Sequence, residues 1–174
     1  VGGRGQWWVN DFIGFGATAY RQGEEDDRQT LLGADVTLRY RPSTYLKAEL
    51  GQSTGAGTAA LLSGTGGYDF ATQTLDGQQA GAYRIESGFD LADFVDSGRG
   101  RIQAYIQERE RGYSAPGQAA PDEQLRQAGM TASIALTDRT TVTGKVDLRD
   151  GTSSETLVGE VSARIRRFKK PEPY

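Results

Sequence analysis

Between Leu32 and Gln52 the side chains alternate in character almost without a break. Leu32, Ala34, Val36, Leu38 and Tyr40 are interleaved with Gly33, Asp35, Thr37, Arg39 and Arg41. After Arg41-Pro42-Ser43-Thr44 the alternation resumes, with Leu46, Ala48 and Leu50 set against Lys47, Glu49 and Gly51. A period of two sends successive side chains to opposite faces of a strand. The stretch is therefore predicted to be a hairpin with one apolar and one charged face. A charge at every second position cannot line a dry core, because a buried charge without a partner is strongly disfavoured. The apolar face must meet a core or lipid, and the charged face must meet water or pair with itself.

The same period marks six more segments. The first runs from Trp8 to Tyr20, with Ile13, Phe15, Ala17 and Ala19 on one side; the VGGRGQ ahead of it is expected to be flexible. A fourth strand is predicted from about Gln79 to Leu91, with Arg84, Glu86 and Asp90 on its polar side. A fifth spans Arg101 to Tyr113, where Arg109 is polar-side and Tyr105 interrupts the alternation. The sixth, about Leu125 to Thr137, is regular. The seventh sets Val142, Val146 and Leu148 against Lys145 and Asp147, and the eighth sets Leu157, Val161 and Ile165 against Glu160 and Arg164. Phe168 ends that strand, and the prolines of KKPEPY stop further pairing. Residues 1–168 thus read as one β-barrel domain and 169–174 as a tail.

The connections alternate in length. Those after the second, fourth and sixth strands are short or modest. Those after the first, third and fifth are longer and polar: the acidic QGEEDDR, the Gly-, Ser- and Thr-rich Ser53–Gly77 stretch, expected to be irregular, and SAPGQAAPDE. Outer-membrane barrels show this asymmetry, with short periplasmic turns and long outer loops, and the even strand count fits. On this reading the chain starts and ends at the periplasmic end. Tyr40 and Phe168 fall near that end, as an interfacial aromatic girdle would. The expected fold is an all-β, antiparallel, up-and-down transmembrane barrel of about eight strands, or a segment of a larger one. Asp35, Arg39, Lys47, Glu49, Arg84, Glu86, Arg109, Lys145, Asp147, Glu160 and Arg164 would be its lumen-facing charges. The alternative is a soluble β-sandwich or β-barrel serving as a binding or adhesion module, its apolar face a core and its charged face solvated.

Composition narrows the chemistry. Apolar residues make up 36% of the 174, and there are 24 glycines, which suits strands and turns better than a helical bundle. The net charge of −3 offers no field for nucleic acid. There is no histidine and no cysteine, so Ser-His and Cys-His catalysis and thiolate metal sites are ruled out. Gly14-Phe15-Gly16-Ala17-Thr18-Ala19 matches a loose dinucleotide-binding pattern but lies inside a predicted strand, whereas such a motif joins a strand to a helix. The acidic run Glu24-Glu25-Asp26-Asp27 lacks the spacing and central glycine of a calcium loop. No catalytic, cofactor-binding or metal-binding residue is therefore expected, nor any cofactor. Val1 looks like a processed or excised start.

Three segments carry a resemblance: YRPSTYLKAELGQS, the GYSAPGQ of Gly112–Gln118, and ALTDRTTVTGKVDL from Ala135 to Leu148. They resemble barrel regions of large outer-membrane surface proteins of proteobacteria. The likeness covers about Trp8 to Phe168. It implies a bacterial outer-membrane location, outer-membrane lipid and other barrel segments or subunits as partners, and a non-enzymatic role in anchoring, transport or surface display. Such barrels usually close on a terminal aromatic. Here a charged, proline-bearing tail follows Phe168, which suggests a slice of a larger barrel or a barrel preceding another periplasmic segment.

Overall fold

The computed structural model describes residues 1–23, 28–55, 60–62, 71–73, 79–96, 98–115 and 121–166. Among these, nine strands form one sheet: β1 (Gly2–Trp8), β2 (Ile13–Gln22), β3 (Gln29–Arg41), β4 (Thr44–Thr54), β7 (Ala80–Asp90), β8 (Gly100–Arg109), β9 (Leu125–Ala135), β10 (Thr140–Gly151) and β11 (Glu155–Ile165). The sheet order is β1-β2-β3-β4-β7-β8-β9-β10-β11, and every neighbouring pair is antiparallel. A separate hairpin pairs β5 (Ala60–Leu62) with β6 (Ala71–Gln73). A 3-10 turn, Leu91–Asp93, lies between β7 and β8.

The all-β, up-and-down architecture is the predicted one, but the sheet is open: β1 and β11 are not paired with each other. The strand count is also corrected, from eight to nine. The Gly-rich N-terminus is strand β1, from Gly2↔Tyr20 to Trp8↔Gly14. Asn10 makes this possible, its Oδ1 accepting from the Phe12 and Ile13 amides (2.8 Å each) and folding the chain back between Trp8 and Ile13. Val1 therefore lies at the end of the sheet that carries the long connections, and the chain leaves β11 at the other end. The supposedly irregular Ser53–Gly77 stretch contains the end of β4 and the β5–β6 hairpin. The fifth predicted strand stops at Arg109 rather than Tyr113, because residues 110–115 turn out of the sheet. The acidic run Glu24–Asp27, Phe168 and the tail lie outside the described residues.

Burial is inverted relative to a soluble sheet. Among the described residues only three apolar side chains are buried, Leu31, Ala80 and Leu125, while Gln29, Asp35, Thr44, Ser53 and Ser114 are buried and polar. Phe15, Leu32, Leu38, Leu46, Leu50, Ile85, Phe89, Ile106, Met130, Ile134, Val146, Leu157, Val161 and Ile165 are exposed. The register puts all of these on one face, in cross-strand rows such as Phe15-Val36-Ala48-Ile85-Ile106-Ala128-Leu148-Leu157.

Candidate functional site: the charged face

The opposite face is built by the same register. Paired residues share a face, so Asp35, Glu49 and Arg84 stand in one row, and Lys47, Glu86, Tyr105, Gly129 and Asp147 in the next. Arg39 leads a third row that ends in Lys145 and Glu160. Arg109 lies across from Ala82 and Leu125, and Arg164 across from Thr141. All eleven charges singled out from the sequence share this face.

They pair chiefly along their own strands. Lys47 meets Glu49 at 2.5 Å, Arg84 meets Glu86 at 3.0 Å and Lys145 meets Asp147 at 3.2 Å. Each is an i, i+2 base–acid couple, the spacing that keeps both groups on one face of a strand. Arg84 also donates to Gln107 Oε1 at 2.6 Å and stacks over Tyr105 at 4.7 Å. Arg39 lies over the Trp8 ring at 4.0 Å and donates to Asp11 O. Arg4 of β1 donates to Asp35 Oδ2 at 2.7 Å.

Glycines make these long reaches possible. Gly16 on β2 lies beneath the Asp35 carboxylate, and a Cβ there would collide with it. Gly14 lies beneath Trp8 and Gly88 beneath Tyr45. The Gly14–Ala19 motif is thus part of β2, and its glycines make room for neighbouring side chains.

A strap lies across one end of the face. Glu110 N donates to Gly81 O at 2.9 Å, and Gly112 turns the chain at φ +81°. Ser114, 1% exposed, is fastened twice: its N donates to Ser53 Oγ at 3.0 Å, and its Oγ accepts from Gln29 Nε2. The strap holds Tyr113 over Gly51, where a Cβ would stand 2.5 Å from the phenol oxygen. Burial, opposed by the nearby Arg109 charge and aided by that of Glu49, pushes the Tyr113 phenol above its ordinary value, so its hydroxyl stays protonated at neutral pH. An open cavity of about 290 Å³ lies here, its lining including Arg4, Asp35, Glu49, Arg84, Arg109 and Tyr113.

Sequence reasoning missed Arg4, Trp8, Tyr113 and the Gln29–Ser53–Ser114 anchor. Arg4 and Trp8 had a readable signal, since Gly2, Arg4, Gln6 and Trp8 share a period of two. The anchor had none, because it joins residues distant in sequence. Among the described residues no group of three or more acidic side chains could hold a metal ion. No protein family, no curated protein and no solved structure matches the chain.

Proposed function

We propose that this chain is a section of the wall of a bacterial outer-membrane β-barrel, a non-enzymatic element that anchors, forms a pore wall or serves transport or surface display. Its apolar face meets lipid, and its charged face lines the interior. The observation that carries the reading is the inverted burial: a row of exposed Leu, Ile, Val and Phe on one face, and paired charges on the other. In water such an apolar face is unfavourable, at about 25 cal/mol per Å². Against lipid it is matched.

Three features add support. Eight of the nine strands are 10 to 13 residues long, enough to span the roughly 9–11 residues a tilted membrane strand needs. Trp7, Phe12, Phe15, Tyr40, Phe89 and Phe94 are exposed at the end with short turns, as an aromatic girdle would be. The third is parity. In an alternating sheet of nine strands the first and last run in the same direction, so antiparallel closure requires an odd number of further strands. That favours a section of a larger wall over a barrel closed by this chain alone.

Purification with and without detergent, followed by electrophoresis of unboiled and boiled samples, tests this. Dependence on detergent supports the membrane reading. Absence of a heat-induced mobility shift supports the wall section, and a clear shift overturns it in favour of self-closure. A monodisperse protein without detergent overturns the membrane reading altogether and leaves a soluble binding module.

A further inference from the structure

β11 is a long edge strand with a free side. Among the described residues it pairs only with β10, in an unbroken register from Thr140↔Ile165 to Asp150↔Glu155. All of its residues are exposed, and it holds neither a proline nor a bulge, two devices that commonly blunt a sheet edge. Leu157, Val161 and Ile165 stand on its apolar face, with Val161 81% exposed. Its charges also differ from those on the rest of the charged face. β4, β7 and β10 each carry a base and an acid two residues apart, and these pair within the strand. Glu160 and Arg164 of β11 lie too far apart along the strand to form such a couple. Among the described residues neither is in an ion pair. Lys145, across from Glu160, is taken by Asp147, and Arg164 lies across from Thr141. At the opposite edge, Arg4 of β1 is already bridged to Asp35 within the sheet.

We infer that the free side of β11 receives a further antiparallel strand of the same wall, with an acid opposite Arg164 and a base opposite Glu160. Read in its own direction, that strand carries the acid first and the base four residues later. A small polar residue stands between them, opposite Ser162. Its alternate residues, on the face of Leu157, Val161 and Ile165, are apolar. Opposite charges directly across a strand pair attract and like charges repel, so this pattern selects both partner and register. The inference rests on the wall reading, because a row of unsatisfied backbone N–H and C=O groups is not tolerated in hydrocarbon. That reading also sets aside a second copy of this chain as the occupant. In a copy of the same orientation β1 runs parallel to β11, and a second β11 is antiparallel only if its copy is inverted across the bilayer.

The test uses two synthetic peptides of identical composition, VELTVKLTVT and VKLTVELTVT, each labelled at its N-terminus. The first places its acid opposite Arg164 and its base opposite Glu160; the second exchanges them. Binding to the purified chain, in detergent if it requires it, is followed by fluorescence anisotropy. The first peptide is expected to bind more tightly, on the order of tenfold, since two attractive pairs become two repulsive ones in the second. The double variant Glu160→Arg with Arg164→Glu should invert the preference, which ties binding to β11 rather than to β1. The wild-type comparison decides the matter even if that variant fails to fold. Equal binding of the two peptides overturns the inference, and so does binding of neither. Sedimentation of the chain alone supplies the remaining outcome: a dimer that the first peptide does not dissociate puts a second copy on this edge and also overturns it. Failure of the wall reading looks different, because a chain that needs no detergent yet prefers the first peptide keeps the pairing edge and loses the membrane.

Discussion

The Tyr105 hydroxyl donates to Asp147 Oδ1 at 2.5 Å, joining β8 to β10 across the intervening strand. Gly129 of β9 stands between them in the register, and a Cβ there would come within 2.5 Å of the Tyr105 ring and 3.0 Å of the carboxylate. Arg4 and Asp35 repeat the device over Gly16, and Trp8 and Arg39 repeat it over Gly14. On this face a missing side chain on one strand lets its two neighbours touch, which ties three strands together.

Gly129→Val should therefore force Tyr105 aside and break the bridge. The expected loss is about 1–3 kcal/mol, the usual range for overpacking, read as a lower urea midpoint. Adding Tyr105→Ala to Gly129→Val should recover part of it, because the clashing ring is gone. If Gly129→Val unfolds at the wild-type midpoint, the bridge contributes nothing and the close approach is not a constraint.

The two tryptophans report on the two faces. Trp7 stacks on Phe15 at 6.4 Å and is 66% exposed on the apolar face, while Trp8 lies over Gly14 beneath Arg39 on the charged face. The chain has only these two, so Trp8→Phe and Trp7→Phe each leave one reporter. In vesicles of brominated lipid, the protein retaining Trp7 should be strongly quenched. The protein retaining Trp8 should be quenched much less by lipid and more by iodide. Equal lipid quenching of both would contradict the assignment of faces.

How far the sequence could be read follows from the kind of signal each feature leaves. The period of two in Leu32–Leu50 and Ala128–Leu136 was enough to find those strands and to sort Asp35, Lys47 and Asp147 onto one face. It failed at β1, where glycines at residues 2, 3 and 5 hide the alternation of Arg4, Gln6 and Trp8, and that strand changes the count from even to odd. The pairing of charges within strands was legible from i, i+2 spacing. Bridges over glycine were not, since they depend on which strand lies two places away. The Ser114 anchor joins residues 61 and 85 positions apart, and no local pattern announces such a contact.

Glu123, just ahead of β9, accepts from the hydroxyl (2.6 Å) and amide (3.0 Å) of Ser153 in the β10–β11 turn. The Ser153 hydroxyl, followed by its amide, holds the Glu123 carboxyl below the ordinary value of 4.5. A carboxyl depressed in the folded state stabilises that state fully above its unfolded value, and the contribution disappears as pH falls through the folded value. Protection of the Ser153 amide from hydrogen exchange, corrected for the intrinsic rate, should therefore be constant near neutrality and fall on acidification below about pH 4.5. Glu123→Gln should lower the protection at pH 7 and remove most of that pH dependence. A turn whose protection is equally acid-sensitive in Glu123→Gln would locate the titration elsewhere.

Ile106 is the most direct probe of what the apolar face meets. It sits mid-strand in β8, between Ile85 and Ala128 in the cross-strand row, and is exposed. On a solvated surface, Ile106→Arg would change stability by no more than about 0.5 kcal/mol in either direction. On a lipid-facing strand near the bilayer midplane, the same arginine costs about 2–4 kcal/mol, falling toward zero near the interfaces. Ile106→Arg is therefore expected to lower the urea midpoint strongly in phospholipid vesicles, and Leu32→Arg, near the end with the long connections, much less. Thr131→Arg, on the charged face, should not show the midplane penalty. A depth-dependent cost confined to one face is the signature of lipid contact. A uniformly small effect at all three positions would place the apolar face in water or against a protein partner, and would remove the membrane from the account of this fold.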